Sequence, residues 1–182
     1  RILGEGQLSL TKFLLITDGS IDVAHFPRLW QHILERIQWD RDLFVFANVS
    51  QDTLDYTGPS VNKGSKAMIL GLGQAKCRDL PETFSGALPA ECSRPVPFLP
   101  GTLVVQGPSY ESEPDLAARL ASHPGVAPWP VVLLVDSTAE ATASLQEFLW
   151  TFFTRFEPAA DIHGRSQPLH RFHVGPGPPI AF

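Results

Sequence analysis

Two stretches of this chain, Thr11 to Asp42 and Pro130 to Asp161, carry the same hydrophobic pattern at a nearly fixed separation. In the first, Phe13 to Ile16 is an apolar run of strand length. Phe26, Leu29, Trp30, Ile33, Leu34 and Ile37 then recur at the i, i+3, i+4, i+7, i+8 and i+11 spacing of one helix face. In the second, Val131 to Val135 supplies the strand, and Leu145, Phe148, Leu149, Phe152, Phe153 and Phe156 occupy the same six helical positions 119 residues on (Phe26 to Leu145). Arg36 is matched by Arg155 and Asp42 by Asp161 at that offset, and Asp18 by Asp136 at 118. The simplest fold for such a chain is α/β, a Rossmann-like layered sheet with helices, built from two degenerate βα repeats with a shared interior. The near-continuous apolar content of the strands implies a sheet covered on both faces.

The rest of the chain fits around these repeats. Leu43 to Val49 reads as a strand that completes a βαβ crossover and pairs parallel with the first. Helix one is expected to begin near His25, with Pro27 in the first turn, where its missing N–H costs no hydrogen bond. Leu54 to Pro59 and Val61 to Lys66 carry turn chemistry and small polar groups, which predicts a sheet edge or a crevice lining. Pro81, Pro89, Pro95, Pro97 and Pro100 fall without period, as in a connector. The second half is expected to hold a strand over Leu103 to Gln106, a helix over Pro114 to Ala121, a final strand over Arg171 to Val174 and an extended tail over Gly175 to Pro179. The Ile-Ala-Phe terminus is expected to continue into something that buries it. The expected organisation is a first α/β unit over residues 1–76, a proline-rich connector over 77–101 and a second α/β unit over 102–182.

Hydrophobic residues make up 43% of the chain and charged residues 18%, a composition that builds a core. A net charge of −5 offers no clustered positive field for a nucleic acid, so no such partner is expected. No apolar run reaches the ~20 residues of a membrane span. Cys77 and Cys92 lack CxxC spacing and read as free thiols of a cytoplasmic protein.

The polar constellations each have an ordinary structural explanation. Asp18, Gly19, Ser20 and Asp22 follow a strand, where α/β sheets place ligands, but carboxylates there also complement a helix N-terminus. Gly71 and Gly73 form half a dinucleotide fingerprint with no third glycine and no clear helix behind it. His163, His170 and His173 cluster in sequence, yet His170 and His173 would face opposite sides of a strand, so no metal site is expected. Ser85-Gly86 lacks the glycine of a nucleophile elbow. No catalytic residue is assigned within this chain.

TKFLLITD, Ile21-Asp22-Val23, Leu29-Trp30, Glu35-Arg36, Asp40-Arg41-Asp42, Leu54-Asp55-Tyr56, Pro59 and Gly64-Ser65-Lys66, in that order, resemble the C-terminal domain of UbiD-type decarboxylases. The resemblance runs from about Thr11 to Lys66 and recurs in Thr154 to Asp161. It departs from the family where the acidic cluster is reduced to Asp18-Gly19-Ser20, where Trp39 stands in place of a proline, and at Met68-Ile69-Leu70.

The resemblance implies a carboxy-lyase acting on an aromatic or α,β-unsaturated acid in ubiquinone or menaquinone biosynthesis. It implies prenylated FMN with Mn²⁺ and a monovalent cation in the full-length enzyme, held by N-terminal flavin-binding domains, with no cofactor or metal on this piece. Leu54, Asp55 and Tyr56 would line the substrate pocket, and the domain would support a homo-oligomer while being inactive alone. Two other readings stand beside it: a stand-alone interaction or scaffold module, and a nucleotide-binding domain using Gly71 and Gly73.

Overall fold

The computed structural model describes residues 2–4, 6–166, 169–170, 173–174 and 177–182. It is a mixed α/β fold with two mixed sheets and several helices. The first sheet holds β1 (Phe13–Thr17), β2 (Leu43–Ser50) and β3 (Lys63–Gly71) in the order β1-β3-β2. Between β1 and β2 lie α1 (Phe26–Leu34) and the single turn α2 (Trp39–Asp42). Pro27 opens α1 as expected, with His25 Nδ1 accepting the Arg28 amide at 3.4 Å as the cap. The helix buries Leu29, Trp30, Ile33 and Leu34, then stops short of Ile37.

Two expectations for this sheet are corrected. β2 does not pair with β1: it runs antiparallel to β3, and β3 runs parallel to β1. The reason is the direction of α1. Phe26 lies beside Phe13 and Leu15, while Ile33 packs on Gly71 at the far end of β3, so α1 advances in the same sense as β1. The Asp18–His25 loop has already made the return crossing, which leaves β2 to run back. Second, Lys63 to Lys66 do not form an edge turn but open the central strand, and Gly64, Ser65 and Lys66 are buried. Their short or polar side chains find partners inside: Gln51 Nε2 donates to the Ser65 carbonyl, Ser65 Oγ accepts the Ala159 amide at 2.8 Å, and Lys66 Nζ donates to Leu3 O at 3.1 Å and to Ser9 O.

The second sheet comprises β4 (Ser93–Leu99), β5 (Thr102–Gln106), β6 (Val131–Val135), β7 (His163–Ser166) and, after a small ribbon of β8 (Leu169–His170) and β9 (His173–Val174), β10 (Gly177–Ala181). Its order is β4-β5-β6-β10-β7. Here the prolines misdirect the sequence reading. Ser93–Leu99, taken as connector, is a strand that tolerates Pro95 and Pro97 because it pairs only with β5 and lies at the sheet edge. Gly177 to Pro179, the described part of the expected tail, opens an interior strand that runs on to Ala181. Its ladder to β6 begins just behind Pro178-Pro179, with Ile180 N–H to Pro130 O at 3.2 Å and Phe182 N–H to Val132 O at 2.9 Å, and a register shift in its pairing with β7 spans the two prolines. The terminal Ile180, Ala181 and Phe182 are therefore already buried. Of the expected strand over Arg171 to Val174, Arg171 and Phe172 lie outside the described residues.

The helices of this half are α3 (Leu116–Ser122), α4 (Thr138–Ala141), α5 (Leu145–Thr154) and α6 (Pro158–Asp161). α1 and α5 meet across one core, where Trp30 stands edge-on to Phe152 at 5.4 Å and Phe13 edge-on to Phe153 at 5.2 Å. The single polar atom of Trp30 is satisfied in that interior by Thr102 Oγ1 at 2.8 Å, which ties α1 to the second sheet. Leu103, Leu116, Leu120, Val126 and Trp129 form a smaller cluster under α3.

Candidate functional site

The loop after β2 is built by two aspartates that bond to the backbone just ahead of them, a turn device that suits short acceptor side chains. Asp52 Oδ1 accepts the Leu54 amide at 2.9 Å, and Asp55 Oδ1 accepts the Thr57 amide at 3.0 Å and its hydroxyl at 2.7 Å. The other oxygen of Asp55 meets Lys12 Nζ at 2.8 Å, with both side chains largely buried. Lys12 also donates to Thr57 Oγ1 at 3.0 Å and to the carbonyls of Thr154 and Phe156 at 3.2 and 3.1 Å. Burial alone would raise the Asp55 pKa, but the hydrogen bonds from Lys12 and Thr57 and the Lys12 charge together hold it below the ordinary carboxylate value.

Of the three pocket-lining residues read from the sequence, Asp55 is thus committed to anchoring its own loop. Leu54 and Tyr56 project on either side of it, 81% and 90% exposed. All three border a cavity of about 600 Å³ whose remaining wall includes Trp150, Phe153 and Arg155. The lining there combines an apolar and aromatic rim with the Arg155 guanidinium, the Asp52 carboxylate and the Lys12–Asp55 ion pair.

A second cavity, of about 500 Å³, lies where the carboxyl ends of β5, β6 and β10 come together. Asp136, Arg155, Asp161, His163 and Tyr110 line it, and Arg155 and Thr57 border both cavities. Asp161 Oδ2 accepts the Glu157 amide at 2.6 Å; burial, with the Glu157 charge adding to it, raises the Asp161 pKa above its ordinary value. Burial lowers that of His163, against the pull of Asp161 and Asp115.

The other sequence candidates are structural. Asp18 does not cap α1: its Oδ2 accepts the Gly73 amide at 2.8 Å, while Asp22 Oδ1 accepts that of Ala24 at 3.0 Å. At Gly71 any Cβ would stand 2.7 Å from the Ile33 Cα, so this glycine permits helix–sheet packing, and Gly73 has the left-handed φ of +78° of a turn. Cys77 is exposed, Cys92 is buried, and both are free thiols. The side chains of His170 and His173 lie outside the described residues. Among the described residues no three His, Cys, Asp or Glu side chains converge as a metal site, and no helix is long and apolar enough to cross a membrane.

Lys12, Asp136, Arg155 and Asp161 were not singled out from sequence as site residues, although the 118- and 119-residue pairings of Asp18 with Asp136, Arg36 with Arg155 and Asp42 with Asp161 contained the signal.

Comparison with known proteins follows the same boundary as the first sheet: residues 1–71 match the 3-octaprenyl-4-hydroxybenzoate carboxy-lyase C-terminal domain. A Chlamydia pneumoniae protein, named as one of the subunits of a 4-hydroxybenzoate decarboxylase, is 45% identical over 163 residues, covering 90% of this chain and 27% of that protein. An uncharacterized Chlamydia caviae protein is 48% identical over 165 residues, covering 91% and 28%, and one from Chlamydia trachomatis is 44% identical over 180 residues, covering 99% and 30%. The likeness therefore extends through the second half, and the chain spans under a third of the length of these relatives. The loop around Asp55 lies inside the matched segment.

Proposed function

We propose that this chain is the C-terminal part of a non-oxidative carboxy-lyase acting on an aromatic or α,β-unsaturated acid, cytoplasmic and engaged in quinone biosynthesis. In this reading Leu54 and Tyr56 form one wall of the substrate pocket, and the prenylated FMN, its Mn²⁺ and the monovalent cation are held by N-terminal flavin-binding domains of the longer protein. The observation that carries it is the contrast within three consecutive residues: a pinned Asp55 between two large side chains left in solvent. Fixing a loop costs conformational entropy, and the gain here is not burial of Leu54 or Tyr56, which supports a contact made outside this chain. Trp150, 56% exposed on α5 beside the same cavity, extends that apolar surface and supports a role in holding a homo-oligomer together. We further read the two units as degenerate copies of one βα unit in a Rossmann-like arrangement.

The test uses the full-length polypeptide loaded with its flavin, and 4-hydroxybenzoate as the first acid tried, following the name of the chlamydial relative. Tyr56→Ala with Leu54→Ala should lower kcat/KM for CO₂ release by about tenfold or more, through loss of ~1.4 kcal/mol of apolar contact, while leaving the flavin spectrum unchanged. An unchanged kcat/KM would remove the pocket-wall role.

A further inference from the structure

The two halves of the molecule can be matched residue by residue through their strand registers. Around β3, Phe13 pairs with Ala67 and Phe44 with Met68; around β10, Val131 pairs with Ile180 and His163 with Ala181. Phe13 and Val131 are 118 residues apart and Phe44 and His163 are 119 apart, the offsets present in the sequence. The two ladders, one parallel and one antiparallel, independently set Ala67 against Ile180 and Met68 against Ala181. Phe182 is then the counterpart of Ile69.

In the first half, the segment behind Ile69 turns over the end of α1 and closes that end of the sheet. Asp18 Oδ2 accepts the Gly73 amide at 2.8 Å, Arg36 Nε donates to the Gly73 carbonyl at 3.0 Å, and Asp42 Oδ2 meets Lys76 Nζ at 3.5 Å. The Glu35 carbonyl accepts the amides of Lys76 and Cys77 at 2.7 and 3.0 Å. The counterparts of the three charged side chains are Asp136, Arg155 and Asp161, the same residue types, and all three line the 500 Å³ cavity that Phe182 borders. The side chains of Asp136 and Arg155 make no hydrogen bond or ion pair among the described residues. One contact has changed: the Thr154 carbonyl, counterpart of that of Glu35, is taken by Lys12.

We propose that this cavity is a receptor for a polypeptide turn of the form Gly-x-x-Lys. Asp136 would accept the glycine amide, Arg155 would donate to the glycine carbonyl, and Asp161 would face the lysine ammonium. The lining argues for this class over a free anion, since the one guanidinium is accompanied by the carboxylates of Asp136, Asp161 and Glu157, which repel an anion and favour a ligand carrying an N–H and a cation. Glycine is specified because its counterpart, Gly73, has a φ of +78°, where a side chain is strained.

The experiment supplies the turn at high effective concentration. The sequence Leu-Gly-Leu-Gly-Gln-Ala-Lys, that of Leu70 to Lys76, is appended directly behind Phe182, where the register matches its place in the first half. The grafted chain is expected to melt about 4 °C or more above the parent. Asp136→Asn combined with Arg155→Ala should remove at least half of that gain, while shifting the ungrafted chain by no more than about 1 °C, as exposed substitutions do. A tail with valine at the second glycine and glutamate at the lysine should give less than half of the gain. No gain, an equal gain from the altered tail, or a gain that survives the double substitution overturns the proposal.

Discussion

Lys12 joins the start of the first sheet to the Asp55 loop and the end of α5, so Lys12→Met measures what that junction is worth. Methionine keeps the length and apolar stem but removes an ammonium that meets Asp55 at 2.8 Å and three oxygens, of Thr57, Thr154 and Phe156, at 3.0 to 3.2 Å. The two carbonyls lie at the C-terminal end of α5, where a cation also complements the helix dipole, for ~0.3–1 kcal/mol. Removing one partner of a fully buried pair costs ~3–5 kcal/mol. This pair keeps 10% and 15% of its side-chain surface in solvent, so water relieves part of the penalty, and about 2–3 kcal/mol is expected. For a chain of this size that is a fall in Tm of about 4–12 °C.

The pH dependence separates the charge from the rest. Asp55 has its pKa depressed in the folded protein, so its contribution is present above the ordinary carboxylate value and is lost as pH falls through the depressed one. The gap between wild type and Lys12→Met, read by circular dichroism in urea, should therefore narrow to about 1 kcal/mol in acid, where only the bonds to uncharged oxygens remain. Asp55→Asn should be less stable than wild type at neutral pH and converge on it as the solution is acidified. A gap below about 0.5 kcal/mol at neutral pH, or one of constant size across the acid range, would refute this account of the junction.

Two further perturbations test other contacts. Gly71→Ala sets a methyl 2.7 Å from the Ile33 backbone, which cannot swing away as a side-chain tip could, and should cost about 1–3 kcal/mol in urea denaturation; a neutral result would mean that α1 is not seated on β3 as described. Asp161 has its pKa raised by burial and by the Glu157 charge, so its ionisation opposes folding: the stability it confers is complete below the ordinary carboxylate pKa and lost as pH rises through the raised one. Asp161→Asn keeps an oxygen for the Glu157 amide and should be at least as stable as wild type near neutral pH, with the advantage fading in acid; a variant less stable than wild type at neutral pH contradicts the burial argument.

What could be read in the sequence was what periodicity encodes. The amphipathic faces of α1 and α5 and the apolar runs of β1, β2, β5 and β6 fall where the spacing set them, because burial of one face dominates those segments. What periodicity does not encode is direction. Nothing in FLLIT or LFVFANV distinguishes a parallel from an antiparallel neighbour, and the length of the Asp18–His25 loop, which decides it, was assigned no role. Lys63 to Lys66 were hidden by their polarity, since a buried lysine and serine fit a central strand only once Leu3, Ser9 and Ala159 are known to be their partners. Proline hid β4 and β10 for a related reason: its missing N–H excludes it from the middle of a ladder, yet both strands keep their prolines where no ladder donor is needed. Leu54, Asp55 and Tyr56 were located by resemblance alone, and their division into one anchor and two exposed side chains depends on Lys12, 43 residues away in sequence from Asp55.

The two halves also differ at particular residues. At the 119-residue offset Gln38 is paired with Glu157, Phe44 with His163 and His32 with Thr151, and each of the later residues lines the 500 Å³ cavity. The helix-end geometry nevertheless persists: Asp42 accepts the Gln38 amide at 2.8 Å just as Asp161 accepts that of Glu157 at 2.6 Å. The side chains of Thr151, Glu157 and His163 border a space at the carboxyl end of the second sheet. The same space in the first half is sealed by Gly73 and Lys76 against Asp18, Arg36 and Asp42. Arg155 borders both the second cavity and the one lined by Leu54 and Tyr56.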